Sequence, residues 1–117
     1  MSEIKRIEPG ERMSQAVVHD GKVYTAGVVA QRAPGASMAD QTRDILARID
    51  ELLTAAGTSK DRALMGTIWL TDIRTFNEMN EVWDAWVAPG NPPVRACVEA
   101  RLASTQYNVE IQITAAL

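Results

Sequence analysis

The sequence predicts an α+β fold: a mainly antiparallel sheet of about six strands in βββαβαββ order with both helices on one face. Three observations carry that reading. β-prone runs flank Asp20-Gly21, the composition of a tight hairpin whose turn needs positive φ. Two separate stretches repeat apolar residues at helical spacing. Near the C-terminus, two short segments alternate apolar and polar residues with the period of a strand.

In chain order, the first three strands are expected at 4–7, 13–19 and 22–28, the last two joined through Asp20-Gly21. Ser37 with Asp40 has capping-box-like spacing, and Ile45, Ile49, Leu52, Leu53 and Ala56 mark one buried face of a helix that Gly57 stops. Residues 63–71, with Leu64, Ile68, Trp69 and Leu70, read as a mostly buried strand. Thr75 and Glu78 form a second capping-box pattern before a helix whose apolar side is Phe76, Met79, Val82, Trp83 and Trp86. That helix ends near Pro89-Gly90, and Pro92-Pro93 delays re-entry into the sheet. In the final pair of strands Val94, Ala96, Val98 and Ala100 alternate with Arg95, Cys97, Glu99 and Arg101, while Val109, Ile111 and Ile113 alternate with Glu110, Gln112 and Thr114. Antiparallel pairing of these two strands would put Arg95 and Glu110 on one polar face, with Val94, Val98, Ile111 and Ile113 against the helices. The other sheet face then needs its own cover, which suggests an oligomer.

Composition narrows the function classes. At 117 residues the chain is expected to be a single domain, 1–117. Twelve basic and fifteen acidic residues leave a net charge of −3, with no basic block to serve as a footprint for nucleic acid or anionic membrane. No apolar run is long enough to span a bilayer and the start lacks a secretory pattern, so a soluble cytoplasmic protein is expected. Cys97 is the only cysteine and His19 the only histidine, which leaves no disulfide and no metal-ligand spacing.

Arg95 is the first candidate for chemistry. Its planar fork matches a carboxylate in a bidentate geometry that lysine cannot copy. On the strand pattern alone the commoner use is a cross-strand ion pair with Glu110 or Glu99. Glu110 is a candidate to orient or activate water, or else simply the neutraliser of Arg95. Cys97 has no activating base beside it and reads as a small, partly buried strand residue. His19 precedes the turn and reads as solvent-facing. The tryptophans stand among Ile, Leu and Val without interleaved basic residues, so they read as core and subunit-contact residues.

Asn91-Pro92-Pro93-Val94-Arg95-Ala96-Cys97-Val98-Glu99-Ala100-Arg101-Leu102, followed by Val109-Glu110-Ile111, resembles the Rid family, also called YjgF or L-PSP proteins. Ser14-Gln15-Ala16-Val17, Tyr24-Thr25-Ala26-Gly27, Gln41-Thr42 and Met79-Asn80 stand in the family's order, so the resemblance covers nearly the whole chain. It implies a chorismate-mutase-like homotrimer with helices outside, sheets lining the centre and a site in each cleft between subunits. The implied activity is hydrolysis of 2-aminoacrylate-type enamines and 2-imino acids to 2-keto acid and ammonia, with no cofactor and a small 2-imino or 2-keto acid as ligand. Carried over residue by residue, Arg95 holds the substrate carboxylate, Glu110 positions water, and Gly27, Asn80, Ala96 and Cys97 line the pocket, Cys97 through its main chain. Met13, Ala26 and Val28 stand where many deaminating members carry tyrosine, serine and glutamine, which implies a less polar cleft with Met13 at the substrate. The loop at 31–36 is short for the family. A carboxylate-binding or regulatory trimer without turnover is the alternative, and an endoribonuclease ranks third because neither charge nor a histidine acid/base pair supports it.

Overall fold

A computed structural model describes residues 3–117. The α+β expectation holds, with seven strands: β1 Lys5–Pro9, β2 Ser14–His19, β3 Lys22–Thr25, β4 Val28–Val29, α1 Met38–Ala56, β5 Ala63–Leu70, α2 Phe76–Trp86, β6 Val94–Glu99 and β7 Val109–Ala116. All seven belong to one sheet in the order β1-β2-β3-β7-β5-β6, with β4 also paired to β7. Every neighbouring pair is antiparallel except β5 with β6. That parallel pair needs a crossover, which α2 supplies.

Local chemistry explains the element ends. Asp20 and Gly21 take φ of 54° and 78°, the doubly left-handed turn that a two-residue hairpin requires. Ser37 caps α1 by accepting from the Asp40 N–H at 3.1 Å. At the other end Gly57 sits at φ 89°, and the N–H groups of Gly57 and Thr58 donate to the carbonyls of Thr54 and Leu53. The capping box expected at Thr75 and Glu78 does not form. The Thr75 hydroxyl instead donates back to the Asp72 carbonyl at 2.6 Å, because a 3-10 turn, Ile73–Thr75, runs directly into α2.

The core lies between the helices and one sheet face. Ile45, Ile49, Leu52 and Leu53 of α1 and Met79 and Trp83 of α2 close over Val23, Ile68, Leu70, Ile111 and Ile113. Each fully buried aliphatic side chain there contributes about 1.5–3 kcal/mol. The strand at 63–71, expected to be mostly buried, is buried on this face alone, leaving Leu64 and Met65 exposed. The β6 strand reverses the expected polarity. Val94 and Val98 are 68% and 47% exposed on the open face, while Arg95 and Cys97 turn toward α2; only Ile111 and Ile113 of the four expected residues meet the helices.

One break in the ladder lies between β3 and β4, beside a register shift between Ala63 and Met65 where β5 meets β7. Tyr24 opposes Thr114 and Val28 opposes Ile111, so three residues, 25–27, stand against two, Gln112 and Ile113. This is a β-bulge. The Thr25 hydroxyl replaces a ladder carbonyl, accepting from the Ile113 N–H at 3.0 Å.

Gln41 joins α1 to the loop before β7. It is fully buried, its amide donating to the carbonyls of Ala36 and Gln106 at 2.9 and 3.0 Å while its oxygen accepts from the Asn108 N–H at 2.8 Å. Gln41→Leu leaves those backbone groups unpaired in the interior and is expected to cost about 2–3 kcal/mol, read as a lower urea midpoint at unchanged m-value.

Candidate active site

Arg95 sits on β6 opposite Gly66 of β5, on the face that carries the helices. Phe76, Asn80 and Trp83 form one stripe of α2, at i, i+4 and i+7, aimed at it. Arg95 Nη1 donates to Asn80 Oδ1 at 2.7 Å. The guanidinium carbon lies 5.3 Å from the Trp83 ring centre and 5.6 Å from that of Phe76, within cation–π range. Gly66 makes this possible, since a Cβ there would stand 3.1 Å from Trp83 Cη2 and 3.2 Å from Ile113 Cδ1. Among the described residues Arg95 makes no ion pair. Glu99, one of its two expected partners, accepts instead from the Ile73 N–H at 2.9 Å. Phe76 and Trp83 were readable in the sequence as core; their i, i+4, i+7 relation to Asn80 was the signal that they flank something polar.

Glu110 lies on β7 between Val29 of β4 and Trp69 of β5. It is half-buried on the open sheet face, and no hydrogen bond or ion pair reaches its carboxylate among the described residues. Burial without a compensating partner pushes its pKa above the usual glutamate range. The bulge gives the carboxylate its seat. It lies against Gly27, where a Cβ would collide with Oε2.

Arg95 and Glu110 are not brought together within one chain, contrary to the expected antiparallel pairing of their strands. The β5 strand lies between them. Arg95 opposes Gly66 and Glu110 opposes Trp69, three residues further along β5, so their side chains leave opposite faces. Two strand spacings and three residue steps separate their backbones by on the order of 14 Å. The remaining candidates divide in the same way. Asn80 and Cys97 lie on the Arg95 side, and Ala96 is exposed on the open face of β6. Met13, 48% exposed, precedes β2, and the Ala26 N–H donates to the Gln15 carbonyl at 2.9 Å, which brings this segment alongside Gly27. A cleft of about 790 Å³ at the β1–β2 turn includes Met13 and Gln15 but neither Arg95 nor Glu110.

Desolvation pushes the Cys97 thiol up, against a smaller downward pull from Arg95, so a thiolate nucleophile is disfavoured at neutral pH. Among the described residues no three His, Cys, Asp or Glu side chains gather as metal ligands. No helix there is long and apolar enough to cross a membrane.

The family model described as Endoribonuclease L-PSP matches residues 3–117. A RutC family protein of Haemophilus ducreyi is 42% identical over 97% of each chain. The solved structure of a YjgF family member from Neisseria meningitidis superposes with a TM-score of 0.94 at 45% identity, covering 97% of this chain and 94% of that one. The rat protein named 2-iminobutanoate/2-iminopropanoate deaminase is 30% identical over 87% of this chain and 77% of its own length. With a match from the third residue to the last and relatives alike in sequence and fold, the chain belongs to the L-PSP family, the YjgF, RutC or Rid proteins.

Proposed function

We propose that the chain hydrolyses 2-imino acids and their enamine tautomers, of the 2-iminopropanoate and 2-iminobutanoate type, to 2-keto acids and ammonia. The observation that carries this reading is an arginine whose charge meets two aromatic rings and a neutral amide but no carboxylate. Such a group is prepared for an anion from outside. The deaminase named among the relatives supports the reaction class.

In this reading the Arg95 fork holds the substrate carboxylate and Glu110 acts on water. With the imine protonated on nitrogen, Glu110 accepts a proton as the water oxygen bonds to the imine carbon and returns that proton to nitrogen of the carbinolamine. It then takes the hydroxyl proton as the C–N bond breaks, the carbonyl forms and ammonia leaves; the ammonia then accepts that proton from Glu110. An unpaired carboxylate with a raised pKa suits that exchange. Gly27 lets the carboxylate lie close to the backbone, and the main chain at Ala96 and Cys97 borders the ligand. No cofactor is required.

One small molecule cannot touch Arg95 and Glu110 of the same chain, so the site is composite. Arg95 of one copy faces Glu110 of a neighbour in a homotrimer. The open sheet face supports this assembly. Tyr24, Met65 and Val94, which are 43%, 49% and 68% exposed, fall in one cross-strand row, and the Trp69–Val98 pair follows on the same face beyond Thr67 and Ala96. An apolar surface of this extent needs a partner. The non-catalytic carboxylate binder remains the second reading, favoured by Met13 and Ala26 in place of polar residues. Net charge of −3 gives no footprint for an RNA substrate.

With 2-iminobutanoate generated in situ, Arg95→Ala and Arg95→Lys are both expected to lose about 3 kcal/mol of transition-state stabilisation, roughly a hundredfold in kcat/KM. Equal activity of Arg95→Lys and the parent would remove the bidentate clamp. Glu110→Gln should retain 2-oxobutanoate binding and slow turnover. Mixing unfolded Arg95→Ala and Glu110→Gln chains and refolding them together should regain activity, because random assembly gives about a quarter of the interfaces both native groups. Lack of any regain places both groups in one chain's site. A third expectation concerns pH. A base must be deprotonated; burial within the chain raises the Glu110 pKa while the neighbour's Arg95 across the cleft opposes that, so kcat/KM should show an acid limb that vanishes in Glu110→Gln. Stopped assays from pH 4 to 8, roughly the span over which carboxylates and their raised forms titrate, read this directly.

A further inference from the structure

We infer that Asn80 is a positioning residue whose value lies in being neutral: it locks the Arg95 guanidinium in place without cancelling its charge, so the site selects an anionic ligand. The inference rests on the reading of Arg95 as the carboxylate holder. It assigns Asn80 a role different from a ligand contact.

Guanidinium only donates, so the Asn80 atom facing Arg95 Nη1 at 2.7 Å must be the amide oxygen. An aspartate has the same shape and would accept the same bond. It would also neutralise Arg95 permanently. Within its own chain, and among the described residues, Arg95 meets no counter-charge, so the carboxylate across the proposed cleft is the neighbour's Glu110 and none stands at its side. Phe76 and Trp83, on the same stripe of α2, present π faces that favour a cation and add no formal charge. Gly66 beneath contributes no side chain, and the nearest carboxylate on the strand, Glu99, is engaged by the Ile73 N–H. The acidic residues of α2, Glu78, Glu81 and Asp84, fall off the 76-80-83 stripe and are exposed. One donor of the fork is therefore spent on orientation and the others stay available. The usual solution for a half-buried arginine, an adjacent carboxylate, is absent where it would compete with ligand.

The distinguishing test is the order of two variants. Asn80→Asp keeps the bond to Arg95 and adds the counter-ion; Asn80→Ala removes the bond and leaves the charge free to wander. Affinity for 2-oxobutanoate, an inert carboxylate probe, is measured calorimetrically for the full-length protein, with thermal midpoints alongside. Asn80→Asp is expected to bind at least about tenfold more weakly than Asn80→Ala, with a midpoint equal to or above the parent's, since it gains an ion pair. Stability and affinity then move in opposite directions, which a merely structural asparagine would not produce. Asn80→Ala binding as weakly as Asn80→Asp would overturn the inference in favour of a direct ligand contact, and so would Asn80→Asp binding like the parent. A parent that binds 2-oxobutanoate yet hydrolyses no imine would refute the enzymatic reading alone, leaving the order of the variants to decide this one. A parent that binds no 2-keto acid would overturn both.

Discussion

The parallel pairing of β5 with β6 is the constraint on which the rest of the molecule depends. A parallel neighbour has to be reached over one face of the sheet, so α2 is carried across β5 and laid beside β6. That route brings the 76-80-83 stripe to the one strand position where an arginine points inward. It also leaves β6 at the sheet edge, with its apolar residues facing away from the helices. Antiparallel pairing of β6 and β7 would have produced an internal ion pair between Arg95 and Glu110. Placing β5 between them leaves neither with an ion pair among the described residues.

Much of the architecture was legible because the relevant signals are local. Asp20-Gly21, Ser37 and Gly57 specify backbone conformations that few other residues tolerate, and the helical spacing of Ile45, Ile49, Leu52 and Leu53 admits one face only. Arg95, Asn80 and Glu110 were singled out through their place in a recognisable motif, and the structure joins the first two and separates the third. Pairing was not legible, because which strands become neighbours depends on contacts far apart in sequence. Alternation likewise announces that a strand has two faces without saying which is buried. On β6 the assumption that valines go inward fails, since α2 presents the Phe76 and Trp83 rings there, which suit a cation. The split of the third strand was hidden for another reason: Thr25 conceals the interruption by lending its hydroxyl to the ladder.

Arg95 and Glu110 show opposite ways of holding a charge off balance. Arg95 is crowded by groups that attract it without neutralising it, so its position is determined while its charge stays unspent. Glu110 is held by exclusion. A glycine makes room for it, it is half-buried, and among the described residues nothing donates to it. The first arrangement favours binding and the second favours proton exchange, a division of labour that matches the proposed roles.

The bulge at 25–27 carries one more consequence, which concerns the counting of residues along the chain. Before it Tyr24 points to the open face and Thr25 inward; after it Val28 points inward and Val29 outward, so the extra residue resets the phase of the alternation. Removing one residue would heal the ladder with Val28 still opposite Ile111 and Val29 opposite Glu110, so their faces would be kept, but the bulge whose Gly27 leaves room for the Glu110 carboxylate would be lost. Ala26, half-buried within the bulge, has no comparable demand on its side chain. The length of this segment therefore matters for the seat of Glu110 rather than for the core: the strand beyond it keeps its faces with or without the extra residue, and only the bulge depends on it.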